Sequence, residues 1–125
     1  MTIRSGVDIL DIPKFAENLK SKAFIQKVFT PDEITVCEAA ANSIYCYAAK
    51  FAVKEALMKA IGQGIRQEVW FTQIEVSQKT KSVFSIHTTG KTKQVLSEIK
   101  EKELTISMSH NAHMMIAVVI MECTD

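Results

Sequence analysis

The chain of 125 residues lacks several features that would mark it as a membrane, secreted or nucleic-acid-binding protein. No apolar run approaches the roughly 20 residues that a membrane-spanning helix needs, and the first residues do not resemble the apolar region of a signal peptide. The formal net charge is only +1, so no overall field favours nucleic acid or an anionic membrane as a partner. Repeats, linkers and low-complexity segments are also missing. We therefore expect a soluble, cytoplasmic protein with a single domain over residues 1–125.

Cysteine is scarce as well. The chain has three, Cys37, Cys46 and Cys123, and their odd number and wide spacing fit neither a zinc site nor a disulfide framework. The sequence therefore predicts free thiols in a reducing cytoplasm. His110 and His113 are three residues apart, but no third and fourth ligand accompanies them, so zinc is not expected.

What is present is an ordinary globular composition, with 47% hydrophobic and 23% charged residues. The periodicity of the apolar residues predicts short strands separated by helices. Strands are expected over 3–10, 74–77, 82–88, 104–110 and 114–121, and helices over 13–21, 23–29, 31–40, 43–62 and 91–100. A polar turn is expected at 78–81, and Gly90 is expected to end a strand. This order predicts an α+β domain, in which a mainly antiparallel sheet packs against one long helix and smaller helices complete the fold.

The long helix carries the first unusual residue. Ser43 is its expected N-cap and Gly62 its expected end. On a helical wheel, Glu55 falls in the middle of an apolar stripe, with Lys59 one turn further along. A buried carboxylate without a cation is costly, so Glu55 should have a functional or structural partner. The alternative is an ordinary surface ion pair between Glu55 and Lys59, which would be worth a few tenths of a kcal/mol.

Asp8 is the second unusual residue, because it interrupts the apolar strand that opens the chain. An aspartate at a strand end that faces water or caps the next helix would explain it equally well. Two acids in apolar settings can also converge on one divalent cation. Mg²⁺ binds through one or two carboxylates and keeps positions for water and substrate phosphates. Nearby lysines would then neutralise those phosphates.

Four motifs in this order resemble the holo-[acyl-carrier-protein] synthases, the short 4′-phosphopantetheinyl transferases. They are Gly-Val-Asp-Ile at 6–9, Phe-Thr-Pro-Asp-Glu at 29–33, the run from Lys50 to Gly64 with its Lys-Glu-Ala core, and Ser-Met-Ser-His at 107–110. The resemblance covers essentially the whole chain. It implies a Mg²⁺-dependent enzyme of fatty-acid synthesis that transfers the 4′-phosphopantetheine arm of coenzyme A to a serine of an apo acyl carrier protein. Adenosine 3′,5′-bisphosphate would be the second product.

The resemblance also implies roles for individual residues. Asp8 and Glu55 would hold the metal on the coenzyme A pyrophosphate, Glu55 would take the serine proton, and Lys59 would stabilise the pyrophosphate charge. Contacts to the rest of coenzyme A would come from Lys50, Lys54, Lys59, Gly62, Gly64, Ser109 and His110. The family usually forms homotrimers with the site at a subunit interface, so a neighbouring subunit is one source of these contacts.

Asn111 follows the histidine without a strong match to the family pattern, and two other positions depart from it. Lys50 stands where arginine is more common, which removes bidentate phosphate recognition, and Asp11 stands where glutamate is common. The basic residues Lys14, Lys20 and Lys22 are either a solvated face or a docking site for the acidic helix of a carrier protein.

Two rival functions stay open. The chain could be a non-catalytic, trimeric binder of coenzyme A or a nucleotide, or Glu55 and Lys59 could be a packing pair with no chemical role.

Overall fold

The computed structural model describes residues 1–62, 69–80 and 83–125. Its strands are β1 (Thr2–Asp11), β2 (Ile74–Thr80), β3 (Val83–Thr88), β4 (Glu101–His110) and β5 (Met114–Cys123). Its helices are α1 (Ile12–Asn18), α2 (Lys22–Val28), α3 (Pro31–Glu38), α4 (Ser43–Ile61) and α5 (Gly90–Glu98), with a 3₁₀ turn at Phe71–Gln73. The predicted contact residue Gly64 lies outside the described residues.

The strands form two antiparallel sheets, one with the order β1–β5–β4 and one hairpin of β2 and β3. The central strand β5 alternates strictly: Met115, Ala117, Val119 and Met121 are buried. Ile116 and Ile120 point to the opposite face and are exposed. This alternation follows from the two-residue period of a strand, and it places the core on the α4 side of the three-stranded sheet.

Helix α4 lies at the centre of the fold and is buried on most of its circumference. Its N-cap is Asn42, whose Oδ1 accepts a hydrogen bond from the backbone N–H of Tyr45 at 3.0 Å. The prediction of Ser43 as the cap was wrong by one residue, because asparagine satisfies the same free N–H groups. Gly62 ends the helix as predicted, with a φ of +107° that favours glycine. No helix in the described ranges is long and apolar enough to cross a membrane.

The short helices begin at side-chain caps that the sequence indicates. Asp11 caps α1 by accepting a hydrogen bond from Lys14 N at 2.9 Å. Thr30 and Glu33 form a reciprocal capping box at the start of α3, with Thr30 N to Glu33 Oε1 at 2.9 Å and Glu33 N to Thr30 Oγ1 at 3.2 Å. These caps fix where the chain turns between β1 and α4.

The prediction of free thiols is wrong for two of the three cysteines. Cys37 and Cys46 form a disulfide between the end of α3 and the first turn of α4. The spacing of nine residues carries no framework signal, but the tight connection between two packed helices brings the two Cα atoms to 5.3 Å. Cys123 is free and buried at the end of β5.

Several predicted boundaries also change. The first helix ends at Asn18, so Lys20 lies in the following turn and Lys22 begins α2. The predicted turn at 78–81 is wrong for its first three residues, because backbone pairing with β3 extends β2 to Thr80 despite its polar sequence. Gly90 begins α5 with a φ of +58° rather than ending a strand.

Candidate active site

The site is built where β1 crosses α4, and Gly6 makes that crossing possible. A Cβ atom at Gly6 would lie 1.9 Å from the carbonyl oxygen of Ala56 and 2.6 Å from the backbone N of Ala60. No side chain fits in that space, so strand and helix backbones touch there. The sequence indicated Gly6 only as the first residue of the Gly-Val-Asp-Ile motif, and the structure shows that it is the contact point.

This close approach brings the predicted Asp8 and Lys59 together. The ammonium of Lys59 lies 3.3 Å from Asp8 Oδ1 and donates a hydrogen bond to the carbonyl oxygen of Val7 at 3.0 Å. The Asp8 side chain is 13% exposed and that of Lys59 is 44% exposed. The pair is therefore accessible from solvent, and it connects the strand to the helix across 51 residues of sequence.

Glu55 lies on α4 one turn before Lys59 and next to Ala56, the residue that contacts Gly6. It is half-buried. The predicted apolar stripe around it holds in part, since Ala48 and Met58 are buried but Ile44 is exposed. Asp8 lies at the crossing of β1 and α4 through its contact with Lys59, and Glu55 is the sequence neighbour of Ala56 there. That the two acids share one cation stays a prediction.

The donor set at this crossing suits a hard cation. Carboxylate oxygens are the ligands that Mg²⁺ prefers, and this ion keeps several waters when only one or two carboxylates bind it. Within residues 1–62, 69–80 and 83–125, no group of three or more His, Cys, Asp or Glu residues is placed to hold a metal ion. The two acids therefore fit a metal that takes its remaining ligands from water and phosphate, and they do not provide a complete zinc site.

Ser109 and His110 lie at the other end of α4. The ring of His110 packs edge-on against Tyr45, with 4.7 Å between ring centroids. Both rings line a groove of about 610 Å³, together with Asn42, Gln78, Met108 and Ser109. Tyr45 and Glu55 are ten residues apart, which is about 15 Å along a helix. In the sheet, Ser109 pairs with Ile116, which pairs with Ile9, so Ser109 lies two strands away from the neighbour of Asp8.

Lys50 and Lys54 point into the protein. Lys50 is 4% exposed and donates a hydrogen bond to the carbonyl oxygen of Val76 at 2.6 Å. Lys54 is fully buried and forms an ion pair with Glu33 at 2.6 Å. Burial lowers the pKa of both lysines, and the charge of Glu33 opposes that shift. Their contact with coenzyme A stays a prediction, and the structure gives both ammonium groups protein partners.

The sequence profile of the 4′-phosphopantetheinyl transferase superfamily matches residues 4–116. The chain belongs to the 4′-phosphopantetheinyl transferase superfamily. This result confirms the resemblance that the four motifs indicated.

Relatives within this superfamily are similar over nearly the whole chain. A holo-[acyl-carrier-protein] synthase of Koribacter versatilis is 34% identical over 124 residues, covering 98% of this chain and 99% of the relative. One of Cytophaga hutchinsonii is 36% identical over 118 residues, covering 92% and 93%. Among solved structures, an ACPS–CoA complex from Chronobacterium ammoniagenes has a TM-score of 0.85 at 26% identity and covers 100% of both chains. The Helicobacter pylori synthase in complex with coenzyme A has a TM-score of 0.74 at 30% identity, covering 94% of this chain and 99% of that one.

Two residues of this transferase chain were not predicted as part of the site. Tyr45 carried no signal beyond its place at the start of α4, and its contact with His110 depends on the packing of distant strands. Glu33 was indicated only as the last residue of the Phe-Thr-Pro-Asp-Glu motif. Its ion pair with Lys54 is a long-range contact that no local sequence signal indicates.

Proposed function

We propose that this chain transfers the 4′-phosphopantetheine arm of coenzyme A to a serine of an apo acyl carrier protein. The products are holo acyl carrier protein and adenosine 3′,5′-bisphosphate. The observation that carries the proposal is the crossing of β1 and α4, where Gly6 contacts Ala56, the sequence neighbour of Glu55, and the solvent-accessible Lys59 pairs with Asp8. The family membership and the names of the relatives support the same reaction.

Asp8 and Glu55 would hold Mg²⁺ at this crossing. When bound, the ion supplies positive charge that neutralises the pyrophosphate of coenzyme A. Glu55 would accept the proton of the carrier serine, since a half-buried carboxylate with access to solvent can act as a general base. Lys59 keeps its ammonium beside Asp8 and can donate to a phosphate oxygen, which stabilises the charge that develops on the leaving group.

The remainder of coenzyme A would lie against the groove of Tyr45, Ser109 and His110, with Gly62 and Gly64 contributing backbone contacts. Tyr45 of this groove and Glu55 are about 15 Å apart along α4, and one bound coenzyme A would contact two copies of the chain. The homotrimer that the family resemblance implies would bring such copies together.

The outer face of the three-stranded sheet supports such an assembly. Ile3, Val7 and Ile9 of β1 and Ile116 and Ile120 of β5 are exposed side by side, since Val7 pairs with Val118 and Ile9 with Ile116. An apolar surface of this kind on one sheet face is typical of a protein interface.

Docking of the carrier protein would use the basic residues before α3. Lys14 and Lys22 are exposed, and Lys20 is exposed and paired with Glu17 at 2.9 Å. Such surface charges contribute to steering of an acidic partner more than to affinity.

The decisive experiment is mass spectrometry of an apo carrier protein after incubation with this protein, coenzyme A and Mg²⁺. The mass of one phosphopantetheine arm should appear on the carrier, and excess chelator should prevent it. Binding of coenzyme A without any transfer would instead support the non-catalytic binder. Transfer that persists in excess chelator would contradict the metal assignment.

A further inference from the structure

The ammonium of Lys54 has all its hydrogen-bond donors engaged inside the protein. It donates to Glu33 Oε1 at 2.6 Å, to the carbonyl oxygen of Val28 at 2.7 Å and to the carbonyl oxygen of Phe71 at 3.0 Å. An ammonium has three N–H groups, so none is left for a phosphate of coenzyme A. The ring of Phe29 closes the site, with its centroid 5.3 Å from Nζ.

The carboxylate of Glu33 is engaged to the same degree. Oε1 accepts from Thr30 N and from Lys54, and Oε2 accepts from the backbone N–H of Val76 at 2.7 Å. Glu33 is 2% exposed. A buried ion pair can stabilise a fold when the remaining hydrogen-bonding groups of both partners are satisfied, and this holds for Lys54 and Glu33.

Lys50 completes this arrangement one turn earlier on α4. It donates to the carbonyl oxygen of Val76, so both backbone polar groups of Val76 bind charged side chains. We call Glu33, Lys50 and Lys54 the buried junction. It connects α4 to the end of α2, the start of α3 and the outer edge of β2.

The junction determines which way α4 faces. Consecutive helical residues point about 100° apart, so a side chain fixed at Lys54 also fixes the direction of Glu55. Lys54 points towards α2, α3 and the 3₁₀ turn, and the face with Ala56 and Lys59 is then directed at β1.

We propose that Lys54 is a positioning residue, which with Glu33 sets the rotation of α4 so that Glu55 and Lys59 meet Asp8 at the crossing. Its role in catalysis rests on the proposed function, and it acts through Glu55 rather than by contact with coenzyme A.

The main test compares Lys54→Arg with Lys93→Arg in steady-state transfer assays. Arginine binds phosphate at least as well as lysine, but its planar group does not match three acceptors around one nitrogen. Positioning predicts that Lys54→Arg lowers kcat by about 10- to 100-fold with little change in the KM for coenzyme A. Lys93 is an exposed lysine on α5, so Lys93→Arg should leave kcat unchanged. Unchanged kcat in folded Lys54→Arg would overturn the proposal, and so would a rise confined to KM.

A second variant uses the partner acid. Glu33→Gln keeps the shape of the side chain and should reproduce the loss of kcat. The double variant Glu33→Gln with Lys54→Arg should have a kcat no lower than that of the less active single variant. Additive losses would overturn the proposal, because independent roles add.

A readout without the transfer reaction separates this proposal from the proposed function. In NMR spectra of the wild-type protein, the backbone amides of Val7 and Asp8 report the Lys59 contact. Lys54→Arg should shift these amides, although they lie outside the junction, whereas Lys93→Arg should not. Unshifted amides would overturn the positioning role. If the wild-type protein transfers no arm, the proposed function fails and the NMR comparison still decides the positioning role.

Discussion

Helix α4 carries two charged regions that differ in almost every physical respect. In the buried junction, Lys54 and Glu33 are out of contact with solvent and form an ion pair. Backbone groups of Val28 and Val76 complete their hydrogen bonding. At the crossing, Asp8 and Lys59 keep solvent access, and their oxygen and nitrogen atoms are 3.3 Å apart.

The difference shows how neighbouring charges on one helix serve structure and chemistry separately. A saturated buried pair cannot take up a ligand without losing its own hydrogen bonds, so its effect is on stability and geometry. A loosely paired, accessible group can exchange its partner for a metal or a phosphate at low cost. Charge alone therefore does not identify a catalytic residue, because a saturated buried charge and a solvent-accessible charge serve different purposes.

The largest expected effect on transfer comes from removing the carboxylate charges proposed to act at the crossing. Asp8→Asn and Glu55→Gln should each lower transfer by about 10³-fold or more, because each removes a charge that acts on the reacting groups. Thermal unfolding should change little, since both side chains are outside the core. Glu17→Gln, an exposed acid on α1, is the control and should retain full activity. Substantial transfer by either site variant would refute the assignment.

The next largest effect is the loss of stability when the ion pair of the junction is removed. Glu33→Gln should lower the free energy of unfolding by about 3–5 kcal/mol, because it leaves the Lys54 ammonium buried without its counter-charge. Urea denaturation measures this loss. Asp32→Asn, the exposed neighbour on the first turn of α3, should cost a small fraction of that amount. Equal losses in the two variants would mean that the junction is no stronger than a surface charge.

Gly6→Ala tests the crossing through its backbone contact. The added methyl group would overlap backbone atoms of Ala56 and Ala60, so β1 must move away from α4. We expect a loss of about 3 kcal/mol in unfolding free energy, together with reduced transfer. Ser5→Ala on the exposed face of the same strand is the matched control. Wild-type stability in Gly6→Ala would show that the strand does not approach the helix so closely.

Much of this architecture could be predicted from the sequence, and the failures have a common cause. Asp8 and Glu55 were recognisable because each contradicts the apolar pattern of its own element. The capping box of Thr30 and Glu33 was equally local. Three other contacts depend on how separate elements pack against each other. They are the hydrogen bond from Val76 to Glu33, the disulfide between Cys37 and Cys46, and the ring contact of Tyr45 with His110. No local period or spacing encodes those distances.

The disulfide offers a comparison with the junction, since both fasten α3 to α4. Cys46→Ser should lower the unfolding free energy by about 2 kcal/mol, because it releases a short closed loop in the unfolded chain. Transfer should persist, because the junction still holds α4 in place. A reductant added to the variant should have no further effect on its stability. Loss of transfer equal to that of Lys54→Arg would instead assign the positioning role to the disulfide.

The smallest expected effect on stability comes from the hydrogen bond that Tyr47 of α4 donates to Glu38 of α3. Burial raises the pKa of Tyr47 to about 12, assisted by its hydrogen bond to Glu38 at 3.0 Å and by that residue's charge. An unfolded tyrosine loses its proton near pH 10, so the free energy of unfolding should fall as the pH rises from about 10 towards 12. We expect a contribution of about 1 kcal/mol, allowing for solvent screening. Tyr47→Phe should lack this decline in alkaline denaturation curves, and an identical decline would contradict the assignment.

The adjacency of Lys54 and Glu55 restricts how this helix can evolve. An extra residue between them would turn the carboxylate by about 100° and carry it away from β1, while Lys54 stayed fixed. A deletion would turn it the opposite way. Length changes are therefore expected in the connections between elements, and homologous chains should align without gaps through the middle turns of α4.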